Sequence, residues 1–512
     1  MKIRKRLAVL LLAIVTLASL LAVPASAEGF AFDWNIGDGN TEPHCKALFL
    51  LNLDTDTAVY TMNANEPLPM ASMTKIMSYI VAYENIPDIE NVHITVPQSV
   101  DDELRDTGSS LATFTAGETF TGLDMLYLMM VPSGNNAALT LAKYVDALYP
   151  EEQARVLNEA AANPTPVPTP EPDEDDQWDD DWDDDPDTDD GENGDFDPVY
   201  YVGKSYFVEL MNKKAQELGC TNTHFTNPHG LHHPDHYASA RDMATITKYA
   251  MTLPNFTEIT GTTAYNYHPV GSEDIRTANT TNKMLTNYVD EYGMTYYYQF
   301  ATGIKTGSLD ESGYCIASSA TAYGYTYIAI AMGSPMYYSD GGRSYVHGEM
   351  LDCATLFRWS LSSLEKKTVA VQGEVMSSVN LKYAWKKDEL LLVAGENASV
   401  MLPSEVNSTS ILIDPDIPES VEAPIRKGEQ IGTASLTYAG EVIATVPLVA
   451  AESVDRSEAL HVWEQGQAVL RAPWFLVIMA VIVALVIVYI ILILLYRRKQ
   501  KQLRRVKRFR DM

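Results

Sequence analysis

Hydrophobic positions change their spacing several times along this chain, and each change predicts an element. Residues 45–51, CKALFLL, and 57–61 are short apolar runs separated by the turn-like NLDTD, and they predict two strands. Residues 72–84 and 121–148 carry apolar side chains at helical spacing, the second stretch including the alanine-rich NNAALTLAKYV, and they predict helices. Residues 313–333, GYCIASSATAYGYTYIAIAMG, hold two β-rich runs around a Tyr-Gly turn and predict a hairpin. Strands at both ends with helices between them argue an α+β domain over 40–365. From 368 to 452 the pattern shortens to runs such as LLLVAG, NASVML, TASLTY and VIATVPLVA, broken by Gly, Pro and Asn. That is the pattern of a small all-β sandwich. Residues 453–473 read as a linker.

Two longer apolar runs lie outside these domains. Residues 1–27 combine a basic start, an apolar run and a small-residue ending at Ala25-Ser26-Ala27, the pattern of a secretory signal peptide. Residues 474–496 are uncharged, long enough to cross a bilayer as one helix, and bounded by Trp474 and Tyr496. The tail that follows, 497–512, holds nine Lys and Arg residues, which by the positive-inside rule predicts a cytoplasmic C-terminus and an extracytoplasmic location for the domains before the span. The expected location is the cell membrane, reached by a single span.

Charge changes the picture in one place. The net charge of −31 is concentrated in Glu171–Asp197, where 17 residues are acidic, preceded by the proline-rich NPTPVPTPEP. So charged a stretch cannot collapse, and 162–198 is expected to be a disordered insertion. It fails the calcium-loop pattern, because Thr188 falls where a ligand is needed before Gly191. Four cysteines, Cys45, Cys220, Cys315 and Cys353, are too few for a disulfide scaffold, show no metal-ligand spacing, and allow three pairings in an oxidising compartment.

The chemistry rests on order. Ser72-x-x-Lys75 in MASMTKIM is followed by Ser133-Gly134-Asn135 in VPSGNNAA and by Lys305-Thr306-Gly307 in GIKTGSLDESGYC. Each motif alone is weak: Ser363-x-x-Lys366 repeats the first spacing and Ser378-Val379-Asn380 repeats the second without context. One helical turn puts Ser72 and Lys75 on the same face. A serine hydroxyl needs a base, and a lysine becomes one when burial beside a second cation, here Lys305, lowers its pKa.

Together these motifs resemble the low-molecular-mass penicillin-binding proteins that act as D-alanyl-D-alanine carboxypeptidases, serine peptidases of the SxxK type. The blocks LPMASMTKIM, MMVPSGNNAALTLA, HFTNPHGLHHPDHYASARDMATI and GIKTGSLDESGYCIASSA carry the likeness, and EAPIRKGEQIG with VPLVAAESV resembles the accessory β-domain. The resemblance implies a β-lactamase/transpeptidase-like fold, an antiparallel sheet with a helical subdomain. It implies that Ser72 attacks the penultimate D-alanine of a peptidoglycan stem peptide, with Lys75 as base, Ser133 as proton relay and Asn135 as a hydrogen-bonding clamp. Lys305 and Thr306 would serve the peptide's terminal carboxylate, Gly307 would let substrate lie along the strand, and the N–H groups of Ser72 and Ser308 would form the oxyanion hole. β-Lactams are the expected covalent inhibitors, and neither cofactor, metal nor nucleic acid is expected.

Alternatives of the same fold are a β-lactamase and a cross-bridge endopeptidase, and a wall-binding scaffold is the non-catalytic one. No E-x-x-L-N-like element follows Ser133 to favour the first. His229 of HGL is expected to pack or hydrogen-bond, not to act as a base. One departure concerns the carboxylate: family members that carry an arginine before KTG contrast with Thr281 here, leaving Lys283 and Arg276 as candidate partners of Thr306.

Overall fold

The structure is a computed structural model that describes residues 34, 42–105, 107–162, 204–290, 293–337, 342–404, 406, 410–438, 441–459 and 473–510. The expected signal peptide 1–27, the acidic stretch from residue 163 on and most of the expected linker lie outside the described residues.

In the larger unit, five strands form one antiparallel sheet: β1 (Ala47–Asn52), β2 (Thr57–Met62), β3 (Ala301–Leu309), β4 (Gly313–Ala322) and β5 (Tyr325–Ser334), in the order β2-β1-β5-β4-β3. The two expected N-terminal strands and the hairpin are present. All six residues of β1 are buried, the apolar run Ala47–Leu51 together with Asn52. The hairpin closes on Tyr323 and Gly324, both at positive φ (55° and 84°), the two-residue turn whose twist matches the strands it joins. The strand order makes β3 an edge strand, paired only with β4, and β3 carries Lys305-Thr306-Gly307.

The helical part packs around α1 (Lys75–Asn85), which is entered by a short 3₁₀ turn at Ala71–Thr74. Every residue from Lys75 to Ala82 is buried, so α1 is surrounded rather than amphipathic. Its neighbours are α2 (Gly122–Met130), α3 (Asn135–Leu148), the helix Tyr206–Glu217 and α4 (Ala240–Ala250). The single helix-like stretch 121–148 is two helices. Thr121 starts α2 with a reciprocal capping box to Asp124, and the chain breaks at Val131–Gly134 before α3 resumes. Helices α4 and α5 (Gly348–Ser363) pack against β5. All four cysteines are buried free thiols, and burial pushes their pKa values up.

The second unit is β-rich. Strands β6 (Val375–Lys382), β7 (Glu389–Ala394), β8 (Leu412–Asp416), β9 (Ser420–Glu422), β10 (Gln430–Tyr438) and β11 (Glu441–Ala450) form one sheet in the order β8-β10-β11-β7-β6-β9, with β6 and β9 parallel. Alternate residues of β7 are buried, as expected of a sheet with one covered face. Further on, α6 (Pro473–Arg510) contains the apolar run; its 28 residues from Pro473 to Gln500 span about 42 Å at 1.5 Å per residue, more than a ~30 Å hydrocarbon layer.

Candidate active site

The site grows from the junction of the 3₁₀ turn with α1. Ser72 lies in the turn, half-buried, and Lys75 is the first residue of α1 and fully buried. An unpaired ammonium would be very costly there, and its surroundings supply three partners. Lys75 Nζ lies 2.8 Å from Ser72 Oγ, 2.6 Å from Asn135 Oδ1 and 2.7 Å from the carbonyl oxygen of His229. The last two oxygens can only accept, whereas the serine hydroxyl can also donate. A neutral amine therefore fits the site fully, donating two N–H bonds and accepting the Ser72 proton on its lone pair. Burial, and secondarily the charge of Lys305, holds the Lys75 pKa well below the usual lysine range, favouring that neutral form.

The other motifs converge on the same cleft. Asn135 begins α3, and Ser133, buried just before it, sits in the left-handed region at φ 64°, a costly conformation for serine that the surrounding packing must sustain. Lys305 is buried, its Nζ donates to the carbonyl of Thr306 at 3.0 Å, and burial lowers its pKa to about 7. Ser72, Ser133, Asn135, Thr306, Gly307 and Ser308 all line a cavity of about 240 Å³.

Two glycines permit this closeness. A Cβ on Gly307 would stand 2.8 Å from Met70 O and 3.2 Å from Ser72 N, so a side chain there would push β3 off the nucleophile. Gly230, at φ 96°, would place a Cβ 2.1 Å from Ala71 O. Both positions demand glycine.

His229 and His236 are engaged in the protein's own bonds. The His229 carbonyl holds Lys75, and its ring Nδ1 accepts from Leu231 N–H at 3.3 Å. His236 takes the backbone N–H of Thr226 on Nδ1 and meets Thr74 Oγ1 with Nε2 at 2.7 Å, bracing the turn that carries Ser72.

The candidate partners of Thr306 separate. Thr281 Oγ1 lies 2.6 Å from Thr306 Oγ1. Arg276 is not at the site: its guanidinium grips Glu118 at 2.6 and 2.9 Å and also reaches Asp274 and the Thr113 carbonyl, which removes it as a partner. Motif reasoning missed Ser109, Ser110, Tyr314, His347 and Glu349, which complete the cleft lining. Folding alone brings them there, and no short pattern marks them. Only Asn136 hints at the first pair, since its amide clamps the Ala112 N–H and C=O at 2.9 Å each, fixing that segment beside α3.

A model of the D-alanyl-D-alanine carboxypeptidase family matches residues 37–149 and 200–336, and one of the penicillin-binding protein 5 C-terminal domain matches 364–456. The D-alanyl-D-alanine carboxypeptidase DacF of Bacillus subtilis is 26% identical over 412 residues, 80% of this chain and 86% of the relative. DacC of Escherichia coli is 23% identical over 432 residues, 82% and 86% respectively. The crystal structure of penicillin-binding protein 5 from Haemophilus influenzae superposes with a TM-score of 0.54 at 21% identity, covering 82% of this chain and all of that one. A Francisella tularensis DacD structure gives 0.53 at 21%, covering 83% and 97%. The fold is that of penicillin-binding protein 5, a transpeptidase domain followed by a β-rich domain. The chain belongs to the low-molecular-mass penicillin-binding proteins of the D-alanyl-D-alanine carboxypeptidase family.

Proposed function

We propose that this chain is a serine-type D-Ala-D-Ala carboxypeptidase that trims peptidoglycan stem peptides through an acyl-serine intermediate and is acylated by β-lactams. The observation that carries this reading is the Lys75 amine, held by two obligate acceptors with its third position on Ser72 Oγ. Ser72 Oγ attacks the carbonyl carbon of the penultimate D-alanine as its proton passes to Lys75 Nζ. The tetrahedral oxyanion is held by the Ser72 and Ser308 N–H groups, and donors of this kind contribute about 2.7–4 kcal/mol each. The C–N bond then breaks, a proton reaches the leaving amine from Lys75 through Ser133, and D-alanine departs. Water attacks the ester carbonyl, giving a proton to Lys75, and Ser72 recovers its own as the acid product leaves.

In this reading Asn135 and Lys305 hold the base neutral and in place, Thr306 and Gly307 seat the substrate's end, and no cofactor takes part. The apolar helix α6 anchors the chain in the cell membrane with its basic end in the cytoplasm and the catalytic unit outside, where the wall polymer lies.

The test is intact-mass analysis after incubation with a β-lactam, alongside D-alanine release from a pentapeptide ending in D-Ala-D-Ala. The expected result is a covalent adduct on the wild type, none on Ser72→Ala, and free D-alanine from the wild type alone. No adduct on the wild type would overturn the acyl-enzyme mechanism, and an adduct without D-alanine release would overturn the carboxypeptidase assignment.

A further inference from the structure

A second cavity, of about 850 Å³, is enclosed by the segment leading into β3, the turn between β4 and β5, and the last turns of α5. It shares no lining residue with the catalytic cleft. Four of its eight lining residues are aromatic, and their rings are linked from the core outward. Phe357, fully buried, stacks on Tyr298 with centroids 5.9 Å apart. Tyr298 meets Phe300 edge-on at 5.8 Å, and Phe300 meets Tyr323 at 5.6 Å. The series ends in solvent, with Tyr323 75% and Tyr297 44% exposed. Polar groups stand among the rings: the exposed Gln299 amide, and Arg358, whose guanidinium lies 5.9 Å from the Tyr298 centroid. Among the described residues Arg358 has no carboxylate partner.

Tyr323 is the residue the fold explains least. It is the first turn residue of the hairpin, at φ 55°, where Asn, Asp or Gly would sit with less strain. A bulky residue there bears backbone strain and leaves a large ring mostly in water, two costs that its edge contact with Phe300 offsets only in part. Position along the strand separates this cavity from the peptide. Phe300 lies six residues before Thr306, roughly 20 Å away at 3.3 Å per residue. A substrate whose end is seated at Thr306 and whose carbonyl meets Ser308 runs on past Ser308, away from Phe300. The second cavity is therefore no extension of the peptide subsite.

Aromatic rings flanked by an amide and an unspent guanidinium match one ligand chemistry. A pyranose presents a face of C–H bonds that packs on the negative face of an aromatic ring, and a rim of oxygens that accept from N–H donors. The concave wall suits discrete rings, and the free guanidinium favours an oxygen-rich ligand over a hydrocarbon one. We propose that this cavity binds a glycan, with Tyr323 and Tyr297 stacking on pyranose rings while Arg358 and Gln299 donate to the oxygens around them. Its natural ligand is a glycan strand of the wall polymer, a neighbour of the strand whose stem peptide is being cut. That identity rests on the carboxypeptidase reading.

The test titrates the full-length protein, in a detergent without a sugar headgroup, with chitotetraose by calorimetry, and in parallel with a short polyglutamate peptide. One-to-one binding of chitotetraose is expected, with no heat from polyglutamate. Tyr323→Asn should weaken the sugar's binding about tenfold or more, the usual cost of truncating an aromatic anchor. Its melting temperature should hold or rise, because asparagine suits the turn. Tyr323→Trp should keep most of the affinity, and Arg358→Gln should weaken it by a smaller factor. D-Alanine release is then compared on a free pentapeptide and on soluble, uncross-linked wall strands. Tyr323→Asn should leave the first unchanged and slow the second, chiefly through KM.

A wild type that does not bind chitotetraose, or a Tyr323→Asn variant that binds it equally well, would overturn the proposal. Binding of polyglutamate in place of the sugar would assign the cavity to an acidic peptide segment and overturn it as well. Sugar affinity lost in Tyr323→Asn with turnover of wall strands unchanged would overturn the wall strand as the ligand. If the wild type binds chitotetraose through Tyr323 but releases D-alanine from neither substrate, the glycan site stands and the carboxypeptidase reading fails.

Discussion

Ser72 and Ser363 each stand three residues before a lysine, yet the two pairs live in different physical worlds. Ser72 opens into a helix buried on all sides, so the turn that follows carries Lys75 inward, and the lysine must be served by fixed oxygens. Ser363 is the last residue of α5, and Lys366 falls in the strand Leu364–Ala370, exposed to solvent. There the three-residue spacing no longer means a shared face, because side chains of a strand alternate. Reactivity at the first pair therefore comes from where the helix is buried, and the spacing only makes it geometrically available.

The largest expected effects break this comparison directly. Ser72→Ala should lower kcat/KM by about four orders of magnitude or more, as removal of a nucleophile that acts in concert with its base does. Lys75→Met should cost about 10²–10⁴-fold, the span attributed to a positioned general base. Ser363→Ala and Lys366→Met should leave D-alanine release within twofold, and as exposed changes they should move stability by no more than about 0.5 kcal/mol. Steady-state D-alanine release from the four variants checks the set. Activity lost in the Ser363 or Lys366 variants would show that the second pair is no bystander.

Next in size is the stability cost of burying cations. Burial lowers the Lys305 pKa from an ordinary 10.5 to about 7. Between those values the unfolded chain binds more protons than the folded one, so folded-state stability rises with pH across that window. Lys75 is shifted in the same direction. Lys305→Met has no such group to desolvate. Its stability advantage over the wild type, or its smaller deficit, should therefore be most visible near pH 7 and shrink toward pH 10. Denaturant midpoints of both proteins across that range give the answer, and a constant difference would mean that Lys305 keeps its ordinary affinity for protons.

Much of the catalytic unit was legible because its elements agree with their own patterns. The apolar Ala47–Leu51 run became a buried strand, Tyr-Gly became a hairpin turn, and the three motifs bring Ser72, Ser133, Asn135, Thr306, Gly307 and Ser308 to one cavity, with Lys75 buried beside Ser72. Three features were hidden for physical reasons. The break between α2 and α3 depends on Ser133 adopting a conformation its residue type disfavours, which no propensity reveals. The free cysteines reflect which strands and helices meet, a tertiary fact. His347 and Glu349 lie beyond the last strand of the sheet, and only the docking of α5 against β4 and β5 returns them to the cleft.

The smallest predicted effect sharpens the comparison between two cations near Thr306 in sequence. Arg276 and Lys283 looked equivalent as carboxylate partners, but Arg276 spends its guanidinium on Glu118 across the ribbon formed with Ala264–Tyr267. Its bidentate pair is partly open to solvent, with about a fifth of each side chain exposed, so the pair should contribute only about 1 kcal/mol. Arg276→Ala should therefore lower the melting temperature by a few degrees at most while leaving D-alanine release within twofold. A melting curve and steady-state D-alanine release decide it. If release falls as well, the charge of Arg276 matters to the cleft despite its pairing. If only the melting temperature moves, the two cations differ in what they are spent on, Arg276 on Glu118 and Lys283 on His347 and two tyrosine faces.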